Sequence, residues 1–399
     1  MLIQILLALT LGILAGTLTG IIPGIHINLV AALLLSLSIY FLQFAPLTTL
    51  IIFIVAMSIT HTFIDFIPSI FLGAPDSDTV LSVLPGHELL KKGRAYEAVF
   101  YTTYGSLSAI IIILFFIPPL FFILPSIEPI IITYKLIPII LILSSMFLIS
   151  REKEKLNALI VFTLSGFLGI AVLNSNVNQP FLPMLSGLFG ASSLILSIKT
   201  KTKIPKQKIF KPYLNKKQSL KPILASAFAS PLCCLLPAIG SGQAAIIGTS
   251  LIKPTRQNFL ILLGATNTIV VGLSFIIYYI IGKTRTGVAV SLQNLIENIN
   301  LNHILIIITT IILTGIICYF YTLQIAKFFA LNINKINYTK LSIITLIFIS
   351  LIVLIFSKPF GFFIFIISTA TGLFGILTGA RRINLMGCLV VPVVLSYLL

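Results

Sequence analysis

Residues 18–37 read LTGIIPGIHINLVAALLLSL. Both ends are apolar enough to lie in hydrocarbon as helix, yet the middle holds Pro23, Gly24, His26 and Asn28. Proline removes a backbone donor and glycine permits a sharp bend. Lipid offers unpaired backbone no partner, so non-helical chain survives at that depth only against protein or a water-filled cavity. The stretch therefore predicts a broken helix. Its restart near Ile25 points free N–H groups and a positive dipole end into a cavity, an arrangement that favours anions. A plain proline kink packed on a neighbouring helix is the other reading of the same residues.

Composition supports hydrocarbon as the setting. The 399 residues are 58% hydrophobic and 9% charged, with a mean hydropathy of +1.14. A soluble domain carries about 25% charged residues. No Asp, Glu, Lys or Arg precedes Asp65, which leaves room for three spans of about 20 residues near 2–20, 25–43 and 46–64. A signal peptide is disfavoured because no basic segment opens the chain and the apolar pattern runs on. Long runs such as SAIIIILFFIPPLFFIL and SIITLIFISLIVLIF do not alternate as barrel strands do. The expected fold is an all-α polytopic membrane protein with about 10–12 transmembrane helices, in two homologous halves with broken or re-entrant helices.

The net charge of +17 is not spread evenly. Residues 199–221, KTKTKIPKQKIFKPYLNKKQSLK, hold nine lysines and no acid between two long apolar blocks. The positive-inside rule places this loop in the cytoplasm of a multi-pass cell-membrane protein, facing anionic lipid. No aromatic or arginine pattern accompanies the lysines, so nucleic acid is not the expected partner. The loop also marks the midpoint. Residues 1–198 form a first membrane repeat, 199–221 a basic linker and 222–399 a second repeat.

Three ordered pairs of segments support duplication. IIPGIHINLVAALL at 21–34 resembles LLPAIGSGQAAIIG at 235–248, with Pro23 against Pro237. Residues 72–99 lie without gaps on 263–290 at an offset of 191, sharing Leu-Gly-Ala, a lysine and an arginine. GLFG at 187–190 recurs at 372–375. Duplicated halves are a common construction of secondary transporters, whose substrate site lies near the midplane between repeats. In the second half, Gly240, Ser241 and Gln243 follow Pro237 and supply bare backbone, a hydroxyl and an amide.

FIPSIFLGAPDSDTVLSVLPG, residues 66–86, is too broken for one spanning helix and predicts a hairpin with Gly73, Asp76, Ser77 and Asp78 at its tip. Its partner at the tip is GATNT, whose Thr266, Asn267 and Thr268 are capping residue types. A surface turn with ordinary caps is the competing reading. A buried carboxylate at that depth marks a cation, a proton path or a paired base, so Asp76 and Asp78 are the candidates for coupling to Na⁺ or H⁺. His61 and Asp65, four apart on one helix face, form a second and weaker candidate for a proton relay. Arg94 and Arg285 follow the hairpins at matching positions. They are candidate anion contacts, although a basic residue after an apolar segment more often anchors a helix end, as Ala380–Arg382 is read to do.

The four cysteines lie in apolar runs without a CxxC pair, so free buried thiols are expected. No HExxH set or P-loop is present, and neither a metal nor an enzymatic activity is expected. GIIPGIHINL, FLGAPDSDTVLSVLPGHELLKKGRAYEAV, FLPMLSGLFGASSL, LLPAIGSGQAAIIG and GARRINLMGCLVVPVVL together resemble the TctA family, the large membrane subunits of tripartite tricarboxylate transporters, and the compact archaeal branch in particular. The resemblance covers nearly the whole chain. It implies a carrier of carboxylates, with a small membrane subunit and an extracytoplasmic binding protein as partners. The family's glycine-proline loops fall by position on Gly20–Asn28, Gly73–Thr79, Pro237–Gln243 and Gly264–Thr268. The expected function is secondary active transport of a small anionic, carboxylate-type solute, coupled to a cation. The alternative is translocation of a lipid-linked phosphate such as polyprenyl phosphate, with Arg94 and Arg285 at the headgroup.

Overall fold

A computed structural model describes the chain except residues 1, 23–45, 73–78, 134–135, 201–204, 210–211, 236–240, 253–254, 285, 297–298, 336 and 399. The described residues are mostly helical, with no strand among them. The first half holds α1 (Leu2–Ile21), α2 (Leu47–Ile64), α3 (Phe66–Leu72), α4 (Val83–Lys91), α5 (Ala95–Thr133), α6 (Leu136–Ser150), α7 (Lys155–Leu173), α8 (Phe181–Leu185) and α9 (Ser192–Thr200). The second holds α10 (Lys216–Leu235), α11 (Ser241–Ser250), α12 (Arg256–Ile281), α13 (Gly287–Leu295), α14 (Leu301–Asn332), α15 (Tyr338–Leu377) and α16 (Gly387–Leu398). Among the described residues, eight helical segments are long and apolar enough to cross a membrane, which makes this an all-α polytopic membrane protein. The expected spans at 2–20 and 46–64 are α1 and α2, and the one at 25–43 lies outside the described residues.

Two helices form the centre. α2 with α3, and α12, are buried along nearly their whole length, while α1, α5, α10 and α14 pack around them. The outer helices turn Leu7, Leu11, Phe115, Phe122, Phe320 and Phe328 outward. Such an apolar rim on an apolar core is what a lipid environment requires.

Small residues let the backbones approach. Gly12, Gly16 and Gly20 line one face of α1 at intervals of four. A Cβ there would stand 2.7 Å from the Phe53 carbonyl oxygen, 2.6 Å from Thr60 Cβ and 3.0 Å from Ile64 Cβ, in that order. The partners advance in step, so α1 and α2 run parallel in a small-xxx-small contact. α5 and α12 also run parallel. Gly105 abuts Ala265, Gly272 abuts Ile113, and Phe121 meets Tyr279 edge to face with centroids 5.4 Å apart.

A second, smaller core gathers α7, α8, α15 and α16. Here the packing crosses between halves. Gly166 and Gly169 of α7 meet Val391 and Cys388 of α16, while Gly372 of α15 meets Leu188 and Ser192 beside the π-helical turn Ser186–Ala191. α15 is broken at Lys358, where φ is 61°, and resumes at Pro359. Proline disfavours helical backbone in the residue before it and suits the first turn after a break. The thiols of Cys318 and Cys388 are free and buried, as read from the sequence, and Cys234 is buried too.

The basic linker differs from a simple solvent-facing loop. Its Gln207 is buried, with the side-chain oxygen accepting from Ala95 N at 3.0 Å and Nε2 donating to the carbonyls of Leu90 (3.0 Å) and Pro205 (2.7 Å). Lys208 N donates to the Gly93 carbonyl at 2.8 Å. Gln207 thus satisfies an orphan N–H at the start of α5, and the left-handed Gly93 (φ 73°) bends the chain to receive the strap. α10 begins at Lys216, so the last basic residues belong to a helix.

Candidate functional site

Among the described residues, the central α2–α3 segment carries two ionisable side chains, His61 and Asp65. Both are buried. Their spacing of four puts them on one helix face, with His61 Nε2 4.0 Å from Asp65 Oδ2. Three neighbours complete the cluster. Asn267 Nδ2 of α12 donates to Asp65 Oδ2 at 2.7 Å. The His61 Nδ1 and Thr19 Oγ1 atoms of α2 and α1 are 3.0 Å apart. Thr62 Oγ1 and Thr268 Oγ1 are also 3.0 Å apart, and join α2 to α12. Below Asp65, Ser69 Oγ lies 2.6 Å from Thr79 Oγ1 and 2.9 Å from the Asp65 carbonyl. Above it, Cys318 Sγ of α14 donates to Thr60 Oγ1 at 3.2 Å. A carboxylate at such depth is costly and is a functional-site candidate by default. This one meets hydrogen-bonding groups from both halves of the chain.

The sequence expectations fall into three groups. Pro23, Gly24, His26, Asn28, Gly73, Asp76, Ser77, Asp78, Pro237, Gly240 and Arg285 lie outside the described residues. Ser241 is buried at the start of α11, and Gln243 lies two residues on in the same helix. Thr266, Asn267 and Thr268 are buried too, but they correct the hairpin reading. GATNT is not a tip with caps. It sits in the interior of the 26-residue α12. Thr266 Oγ1 bonds back to the carbonyls of Leu262 (3.0 Å) and Leu263 (2.9 Å), the back-bonding that lets threonine sit inside a helix. Gly264 is there because its Cβ would strike the Thr102 backbone of α5. The 191 offset therefore matches helix interior against the end of α3, and its pairing of Asn267 with Asp76 loses its structural basis.

Arg94 takes the anchoring role, the commoner of the two read for it, and not that of an open anion contact. Its Nε and Nη2 reach Glu97 Oε2 and Oε1 at 2.6 and 2.7 Å, so the fork a substrate anion needs is already closed. The hydrogen bond to Glu97 raises its guanidinium above the ordinary arginine value against the opposing effect of burial. Glu97 Oε1 also accepts from Tyr101 Oη at 2.7 Å, and the group anchors the start of α5. With Arg285 outside the described residues, no observation favours the polyprenyl-phosphate alternative.

Ala380–Arg382 is more than an interfacial anchor. Arg381 Nε lies 3.1 Å from Glu152 Oε1, Asn384 Nδ2 donates to the same oxygen at 2.9 Å, and Arg382 donates to Ser193 Oγ. Together they tie the loop after α6 and the start of α9 to the loop before α16. A narrow cleft lined by Ser144, Ser145, Phe162 and Asn384 lies beside this second cluster, not beside Asp65.

Sequence reasoning ranked His61 and Asp65 below Asp76 and Asp78, and missed Thr19 and Thr62. The available signal was the run Thr60-His61-Thr62-Phe63-Ile64-Asp65 inside an otherwise apolar helix. A polar series with no turn residue marks a buried contact with another helix.

The chain is 34% identical over 331 residues to an uncharacterized protein of Methanocaldococcus jannaschii, covering 81% of this chain and 80% of that one. No solved structure matches. Residues 6–387 match a transporter family across both halves. With both central helices and the buried polar cluster inside the matched region, the chain belongs to the tripartite tricarboxylate transporter TctA family.

Proposed function

We propose that this protein is a cation-coupled secondary carrier of a small carboxylate-type anion, built from two homologous halves in the cell membrane, with the 199–221 linker on the cytoplasmic side. The observation that carries the reading is the hydrogen bond from Asn267 of the second half to Asp65, the acid of a buried ionisable pair with His61 in the first half. Carriers move by shifting one repeat against the other around such a midplane site.

Element lengths support the repeat. α1 and α10 each have 20 residues, as do the span Leu47–Leu72 and α12 with 26 each, and α4 and α13 with 9 each. The crossed packing of α7 on α16 and of α15 on the Ser186–Ala191 turn is the reciprocal contact that two related units make about a two-fold axis. The solute would be held by Ser241, Gln243 and Thr266 to Thr268 together with the two proline-glycine breaks. Asp76 and Asp78 belong to the same proposal, as does a small membrane subunit with a binding protein.

The test is a stability screen of the purified protein against citrate, other di- and tricarboxylates, amino acids and phosphate lipids. A ligand at 100 times its Kd stabilises the folded state by about 2.7 kcal/mol. Stabilisation by carboxylates, followed by their uptake into liposomes, is the expected result. Stabilisation by phosphate lipids alone refutes it.

A further inference from the structure

From the arrangement around Asp65 we infer that His61 and Asp65 hold one exchangeable proton on the pseudo-two-fold axis of the molecule, and that this site, present once, is where proton binding enters transport. The inference rests on the carrier reading and names its coupling site.

An offset of 206, which replaces the 191 and 185 offsets read from the sequence, sets Thr60-His61-Thr62 on Thr266-Asn267-Thr268 and Ser165-Gly166-Phe167-Leu168-Gly169-Ile170 on Thr371-Gly372-Leu373-Phe374-Gly375-Ile376. Under that offset Thr62 and Thr268 are mates, and their hydroxyls touch. A residue in contact with its own repeat mate lies on the axis relating the two units. The axis therefore passes through the polar cluster.

The mates of the ionisable pair are not ionisable. Asn267 replaces His61 and Val271 replaces Asp65. The second half supplies a neutral amide, and that amide donates to the one acid. The site is thus single where the scaffold is double.

Its chemistry favours a proton. A carboxylate here stands 4.0 Å from an imidazole, and histidine is the side chain whose ordinary pKa puts its charge change near neutral pH. Besides Cys318, α14 carries His303, Tyr319, Tyr321 and Lys327, and besides Glu97 and Tyr101, α5 carries Tyr96, Tyr104 and Glu128. α1 and α13 have none. α12 has Arg256, Tyr278 and Tyr279, each about three turns from Asn267. α14 presents Cys318 to Thr60, and Glu97 of α5 is closed on Arg94 and Tyr101.

Infrared difference spectra of the purified full chain between low and neutral pH, without solute, read the proton directly. The expected result is a protonated-carboxyl band that disappears in Asp65→Asn. Its titration midpoint moves by about one to three pH units in His61→Gln, the range a neighbouring charge produces, and does not respond to sodium. A band unchanged in Asp65→Asn overturns the assignment, as does a midpoint that tracks sodium concentration. If Asp65→Asn fails to fold, Asp65→Glu and His61→Gln carry the same test through the midpoint, and a midpoint unmoved in both overturns it. An Asp65 band with no uptake of any carboxylate tested upholds the site and counts against the carrier reading alone.

Discussion

Gly264→Ala separates tertiary packing from helix propensity, because the two predict opposite signs. Gly264 lies inside α12, and alanine in place of glycine favours a helix by about 1 kcal/mol. The structure forbids that gain. A Cβ at 264 would land on the Thr102 carbonyl, with Thr102 C at 2.7 Å and Cα at 2.9 Å against an ordinary contact of 3.4 Å or more. Every atom struck is backbone, so no rotamer change relieves it, and α5 and α12 must separate. Overpacking of this kind costs about 1–3 kcal/mol, and the upper end applies when two helix backbones have to part. Ser106 Oγ, which donates to the Gly264 carbonyl at 3.0 Å, loses geometry as they do; that adds about 1 kcal/mol. The net expectation is a loss of about 2–3 kcal/mol. Thermal unfolding followed by a thiol-reactive dye suits the measurement, since Cys234, Cys318 and Cys388 are buried until the bundle opens. The matched control is Gly190→Ala, also buried in a helical turn, where the nearest atom to a new Cβ is Ile349 Cδ1 at 3.9 Å. It should hold its unfolding temperature while Gly264→Ala drops by several degrees. A Gly264→Ala protein at or above wild type, or an equal fall in both, refutes the close approach of α5 to α12.

Asn267→Leu removes the amide donor to Asp65 Oδ2 and should cost about 1–3 kcal/mol; in a double-mutant cycle with Asp65→Asn the two effects should fall short of additive by about 0.5–3 kcal/mol, and strict additivity would deny the contact. Gln207→Ala releases three hydrogen bonds that pin the linker, so trypsin should cut at Lys206 and Lys208 several-fold faster while the unfolding temperature changes little. Glu152→Ala leaves Arg381 and Asn384 without their shared acceptor and should destabilise by about 1–3 kcal/mol. Glu152→Gln keeps one oxygen acceptor and should lose clearly less, so equal losses would show that Asn384 does not depend on this residue.

The membrane class and the spans at 2–20 and 46–64 were legible because hydrocarbon imposes one requirement, about twenty apolar residues with their backbone paired internally. The site was less legible. Gly264-Ala265-Thr266-Asn267-Thr268 has the composition of a turn, and in water it would be a fair candidate for one. Between buried helices the same residues serve other ends: glycine admits a neighbouring backbone, threonine bonds to its own preceding turn, and asparagine reaches across to an acid. The intervals of four in Gly12, Gly16 and Gly20 carried the packing of α1 on α2 openly, but glycine was weighed for bends and not for contact. Lys358 was hidden for a different reason. Uninterrupted apolar sequence on both sides masks a break that only the residue before Pro359 reveals.

The asymmetry at the axis has a physical reason. On the proposed repeat, exact duplication would add a second acid at position 271, and like charges brought close together resist joint ionisation. Val271 in place of the second acid removes the conflict, and Asn267 in place of the second histidine turns the opposing helix into a neutral donor. On the proposed site, the bond between the halves then depends on the charge of Asp65. An amide donating to a carboxylate is roughly twice as strong as the same bond to a neutral carboxyl group. Protonation therefore weakens the grip of α12 on α2 where the two halves touch on the axis, and deprotonation restores it. A ligand shifts a conformational equilibrium only through a difference in its interaction with the two states. The Asn267–Asp65 contact supplies such a difference for the proton.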